Sequence, residues 1–103
     1  MIQHRAFFGD GEHVFALTDP MIAELERLTD TGIGVVFNRL MANTFHHDDL
    51  RHIIRLGLIG GGMNPEQALR LVETYAKDRP IKEVLPLALD IISARWLGVE
   101  ADQ

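Results

Sequence analysis

Apolar and polar positions change rhythm along this chain, and each change marks an element. Residues 3–18, QHRAFFGDGEHVFALT, hold two short runs rich in Phe and Val on either side of Gly9-Asp10-Gly11, which predicts a β-hairpin. Strand alternation would turn His13, Phe15 and Leu17 one way and Val14, Ala16 and Thr18 the other. From residue 19 the period lengthens to that of a helix. Asp19-Pro20 supplies a cap and a first-turn proline, Met21, Leu25 and Leu28 form a stripe, and Thr31-Gly32 predicts the stop. A second helix is expected over about 33–43 (Ile33, Val36, Phe37, Leu40, Met41). A third is expected over about 47–59, with Leu50, Ile53, Ile54, Gly57 and Leu58 on one face and Arg51, His52 and Arg55 on the other.

The fourth helix carries the clearest signals. Asn64 caps it, Pro65 takes its first position, and Gln67 is placed to reach back as in a capping box. Ala68, Leu69, Leu71, Val72, Tyr75 and Ala76 share its apolar side, and it ends before Pro80. A fifth spans about 81–97 and closes at Gly98; Pro86 predicts a late start or a kink. The predicted fold is α+β and mainly α: an N-terminal hairpin followed by about five short helices packed as a small bundle. Residues 1–103 form a single domain, divided into a hairpin (1–18), a helical part (19–98) and a tail (99–103).

Gly60-Gly61-Gly62 pose a question of chemistry. A phosphate-binding loop needs G-x-x-x-x-G-K-[ST] after a strand, and a dinucleotide fingerprint needs G-x-G-x-x-G. Neither fits, because Met63-Asn64-Pro65 follows and a helix precedes. These glycines are read as a structural turn, a helix end and a flexible corner between the third and fourth helices.

Composition narrows the rest. The chain has 103 residues, a net charge of -5, and no cysteine, which excludes disulfides, thiolate metal sites and cysteine nucleophiles. The ten Lys and Arg are scattered, so nucleic acid is not expected as a partner. A helix-turn-helix reading would give its recognition helix Glu66, Glu73 and Asp78 against Arg70 and Lys77, a balance that opposes phosphate contact. No apolar run suits a membrane span, and the N-terminus lacks the features of a secretory signal, so the cytoplasm is the expected location. His46-His47-Asp48-Asp49 with His52 is the one cluster of metal-ligand types. Asp48 and Asp49 equally suit a helix's first turn, where carboxylates complement the dipole. No catalytic residue, cofactor or metal is expected.

The last helix departs from a surface pattern. Its apolar residues fill an arc of roughly 200° on a helical wheel, against the 100° or so that a surface helix needs. Such a helix is either central in the core or covered by another protein. Leu85, Leu89, Ile92, Arg95 and Trp96 are the candidate partner-binding residues, Arg and Trp being favoured at binding hot spots.

The order of hairpin, "FALTDPMIAELERLTDTGIGVVFNRL" and "DDLRHIIRLGLIGGGMNPEQALRLVETYAKDRPIKEVLPLALDIISARWLGVE" resembles the gene transfer agent family of small tail proteins, related to the tail assembly chaperones of tailed phages. The stretch from Glu24 to Gly34, the "IRLGLIGGG" corner, the "RPIKEVLPLA" entry and Trp96 followed by Gly98 carry the resemblance, which runs from about Phe15 to Gly98. It implies a non-enzymatic tail assembly protein, a chaperone that keeps the tape-measure protein soluble, with the tail tube protein as a further partner. The family's other label implies an alternative, a structural tail tube subunit located in the tail of a phage-like particle. A metal-dependent hydrolase using His47, Asp48 and His52 is a third reading, drawn from the residues alone.

Overall fold

A computed structural model describes residues 2–98; the tail assigned to 99–103 lies outside the described residues. The architecture is a two-stranded antiparallel hairpin followed by five helices. β1 is His4–Phe8 and β2 is Gly11–Phe15, in a register that pairs His4 with Phe15 and Phe8 with Gly11. Gly9 takes a φ of 68°, the left-handed conformation that a two-residue hairpin loop asks of its first residue. Beyond β2 the expected alternation stops: Phe15, Ala16 and Leu17 are all buried. The chain turns into the core there, and the strand geometry no longer applies.

α1 (Asp19–Thr29) begins after Thr18, and Asp19 sits in its first turn instead of capping it. The helix ends at Asp30, whose φ of 55° is left-handed. Gly32, expected to supply that stop, is the N-cap of α2 (Ile33–Met41). Asp tolerates the left-handed region better than most residues, so the stop comes two residues early. The Glu26 carboxylate then accepts a hydrogen bond from the Ile33 amide at 2.8 Å, tying the end of α1 to the start of α2.

α3 (His47–Gly60) runs through the middle of the fold and packs against α1, α4, α5 and β2. Its predicted stripe is buried, joined by Leu56. α4 (Pro65–Tyr75) is capped by the Asn64 side chain, which accepts from the Glu66 and Gln67 amides at 2.8 and 3.4 Å. Gln67 thus contributes its backbone N–H, not its side chain, to the cap. Leu69 and Tyr75 stand exposed at the edges of the apolar side. α5 (Ile81–Leu97) is one continuous helix that includes Pro86. Proline removes the bond that the Lys82 carbonyl would have accepted; both residues are exposed, so water is at hand for that carbonyl.

The three glycines do more than end a helix. A Cβ at Gly60 would lie 1.8 Å from the Ala16 carbonyl oxygen, and one at Gly61 2.0 Å from that of Val14. One turn earlier, a Cβ at Gly57 would press on Phe15 and Ile91, and the Gly57 carbonyl accepts from the Ala16 amide at 2.9 Å. The end of α3 is therefore a bare slot into which the β2 backbone fits. What reads in the sequence as a flexible corner is a close approach, with only Gly62 (φ 113°) serving the turn itself.

Candidate protein-binding site

Of the residues singled out on α5, the structure exposes some and buries others. Ile92 is 1% exposed, packed within the core, and has no surface to offer. Leu85 and Leu89 are half-buried against the same core. The wide apolar arc is thus used largely within the fold: Val84, Ala88, Ile91, Ile92 and Ala94 are buried, because α3, α2 and β1 all contact α5.

Arg95 is committed to the fold. Its guanidinium donates to the Leu17 carbonyl and to the Asp19 carboxylate, both at 2.7 Å. This fork fastens the last turn of α5 to the junction between β2 and α1. No local pattern announces it, since the partners lie 78 and 76 positions away.

Trp96 does face outward, at 52% exposure. Its ring stacks on Phe37 of α2 with centroids 4.5 Å apart and planes 22° from parallel. Leu97, which the sequence reading passed over, is 70% exposed. The C-terminal end of α5 is therefore an apolar surface with one aromatic held in place by a stack. Phe7, on the outer face of the hairpin, is a separate exposed aromatic at 72%. Strand alternation marks it in the sequence: Phe8 faces the core, so Phe7 must face away.

The His46–His52 cluster resolves into structural roles. Asp49 is buried; one carboxylate oxygen accepts from the His46 amide at 3.0 Å and from Arg39 at 3.4 Å. Asp48 pairs with Arg51, whose guanidinium holds the carboxyl below its ordinary range. His52 is lowered, first by burial and then by the neighbouring Arg55. Among the described residues no three His, Asp or Glu are grouped to hold a metal ion. The hydrolase alternative finds no support in this geometry.

A cleft of about 400 Å³ opens between the start of α3, the α4–α5 turn and the start of α5. Leu50, Ile81 and Val84 line it, and Arg51, Lys77 and Arg79 stand around them. Arg51 and Arg79 are paired with the carboxylates of Asp48 and Glu83, and Asp78 also lines the cleft.

The described residues form a mainly helical fold with exposed apolar residues at the end of α5 and on the outer face of the hairpin. A family model described as phage tail tube protein, GTA-gp10, matches residues 1–98, and the chain belongs to that family. Searches of curated proteins and of solved structures gave no match. No described helix is long and apolar enough to cross a membrane.

Proposed function

We propose that this chain is a structural subunit of the tail tube of a phage-like particle, acting through protein contacts and carrying out no chemistry. The observation that carries this reading is the family match across residues 1–98. A tube is built from repeated copies of one subunit, so its interfaces must be heterologous, with different patches of neighbouring copies meeting. The exposed end of α5 and the outer face of the hairpin, with Phe7, are two unlike patches of the kind such an assembly uses.

A second reading, a chaperone for the tape-measure protein, is favoured by one observation. Among the described residues the sheet has two strands, whereas stacked rings are commonly built from extended sheets. On this reading Trp96 and Leu97 cover an apolar helix of the tape-measure protein, in the manner of helix-in-groove recognition. The test is a concentration series of the purified protein viewed by negative-stain electron microscopy, beside co-expression with the tape-measure protein of the same gene cluster. Rings or tubes from the protein alone support the subunit. A protein that stays monomeric, yet is required for the tape-measure protein to be soluble and co-purifies with it, overturns the subunit in favour of the chaperone.

A further inference from the structure

We infer that the outer edge of β1 pairs with the same edge of a second copy of this chain, antiparallel about Ala6, so that two hairpins join into one sheet. This contact is independent of the tube reading.

The two edges of the hairpin differ. Phe8 and Gly11 close the two-residue turn as a hydrogen-bonded pair, so Ala6 and His4 also turn their amides and carbonyls toward β2. Arg5 and Phe7 turn theirs away. On the β2 side the outward groups are in use. The Val14 and Ala16 carbonyls lie against Gly61 and Gly60, and the Ala16 amide donates to the Gly57 carbonyl at 2.9 Å. On the β1 side nothing corresponds. Among the described residues no backbone hydrogen bond reaches Arg5 or Phe7 from outside the hairpin. Both side chains are exposed, and α5 lies under the strand, where His4 comes within 3.9 Å of Asp90. An open edge is a template for a further strand. Neither a proline nor a bulge blunts this one.

Side chains on the outer face select the occupant. A strand can join this edge only where its own outward-turned residues meet Arg5 and Phe7. For a second copy, the register centred on Ala6 sets Arg5 opposite Phe7 of the other copy, and the two-fold repeats the pair. A guanidinium beside an aromatic ring is a cation–π contact. Beyond that Phe7 stands its own cross-strand neighbour, Glu12. Each Arg5 thus points across an aromatic ring toward a carboxylate. Within one copy, among the described residues, neither Arg5 nor Glu12 forms an ion pair. The neighbouring registers are poorer. Centred on Arg5, the join sets like charges directly opposite; centred on Phe7, it sets Arg5 against Gly9, which has no side chain. A strand of uniform charge would leave either Arg5 or Glu12 uncompensated.

The two-fold makes the contact isologous, so it closes at a dimer. Growth through the other edge is blocked, because α3 covers β2 there. The outer face of the hairpin stays open for contacts with other proteins.

The chain has no cysteine, so an introduced one stands alone. Ala6 meets Ala6 of the second copy as a non-hydrogen-bonded pair, where side chains stand closest. Ala6→Cys is oxidised mildly, with Glu12→Cys, on the strand away from the join, as the control. Sedimentation of the unmodified chain is run in parallel. The expected result is a dimer, with a disulfide-linked pair from Ala6→Cys several-fold above the control. Phe7→Pro removes an outward N–H and no bond to β2. It and Arg5→Glu should each weaken the dimer about tenfold, the scale of one lost contact of this kind. Adding Glu12→Arg to Arg5→Glu should restore most of the loss. Arg5 and Glu12 are exposed, so the charge variants should fold even if Phe7→Pro does not, as circular dichroism will show. A chain that stays monomeric at all concentrations overturns the inference. An assembly of any size with no cross-link above the control, and indifferent to Arg5→Glu, also overturns it and leaves the tube reading intact. Growth beyond a dimer with the cross-link at position 6 upholds the edge contact.

Discussion

Individual residues carry unusual weight where α3 ends. Gly61→Ala would drive a methyl group against the Val14 carbonyl, a backbone atom that cannot swing aside. The expected loss is about 3 kcal/mol, at the upper end of what overpacking costs. Gly11→Ala meets nothing within 4 Å and should be close to neutral. Urea denaturation of both variants checks the contrast, and equal losses would refute the slot. Asp49 is a second such residue. Asp49→Ala leaves the His46 amide and Arg39 without their acceptor, with an expected loss of about 2–3 kcal/mol for a buried charged hydrogen bond, measured in the same way. His52 brings in pH. Its folded pKa lies below the ordinary value of 6.5, so the unfolded chain binds the extra proton more readily. Its contribution is complete above pH 6.5 and is lost as pH falls through that value toward the folded pKa. The melting temperature should therefore decline on acidification below pH 6.5, and His52→Gln should flatten part of that decline. An unchanged slope in His52→Gln would exclude this residue as a source.

At the scale of elements, local rules and tertiary contacts divide the work. The hairpin, all five helices and the Asn64 cap were legible because each depends on neighbours within about four positions. The stop of α1 was misplaced because Asp30 and Gly32 both suit a left-handed site, and spacing alone does not rank them. The slot at Gly57, Gly60 and Gly61 was illegible, because a glycine kept for close approach looks like one kept for a turn. The wide arc of α5 was read correctly as abnormal, yet periodicity could not say which neighbours would cover it. Ile92 is buried in the core, and Arg95 is bound to Leu17 and Asp19, so of the five residues singled out only Trp96 keeps a large free surface. Trp96→Ala should cost only about 1 kcal/mol, the scale of an aromatic pair outside the core. Its far-ultraviolet circular dichroism should remain native. A variant that unfolds would place Trp96 among the residues that hold the fold.

For the molecule as a whole, the distribution of exposed apolar and charged groups matters more than any one site. The described residues are held by one continuous core, centred on Phe15, Leu25, Ile53, Ile54 and Ile91. Phe15→Ala should remove about 3–5 kcal/mol, a large share of what a domain this size possesses. Calorimetry should show the loss of one cooperative transition, not the melting of one part. What the sequence could not reveal at this scale is separation. Ile81, Val84 and Leu97 belong to one helix, and only the fold shows that Val84 is buried while Ile81 and Leu97 are exposed.

The Arg95 fork also has a consequence for how the protein is made. Synthesis runs from the hairpin toward α5, so Leu17 and Asp19 leave the ribosome long before the arginine that fastens them. Until α5 emerges, the first strand and the middle helix lack one of their covers. A nascent chain stalled before residue 81 should therefore remain sensitive to protease throughout the hairpin and α3, and resistance should arrive in one step once α5 is free. The fold of the described residues thus closes only when both ends of this fork, 78 positions apart, are free of the ribosome.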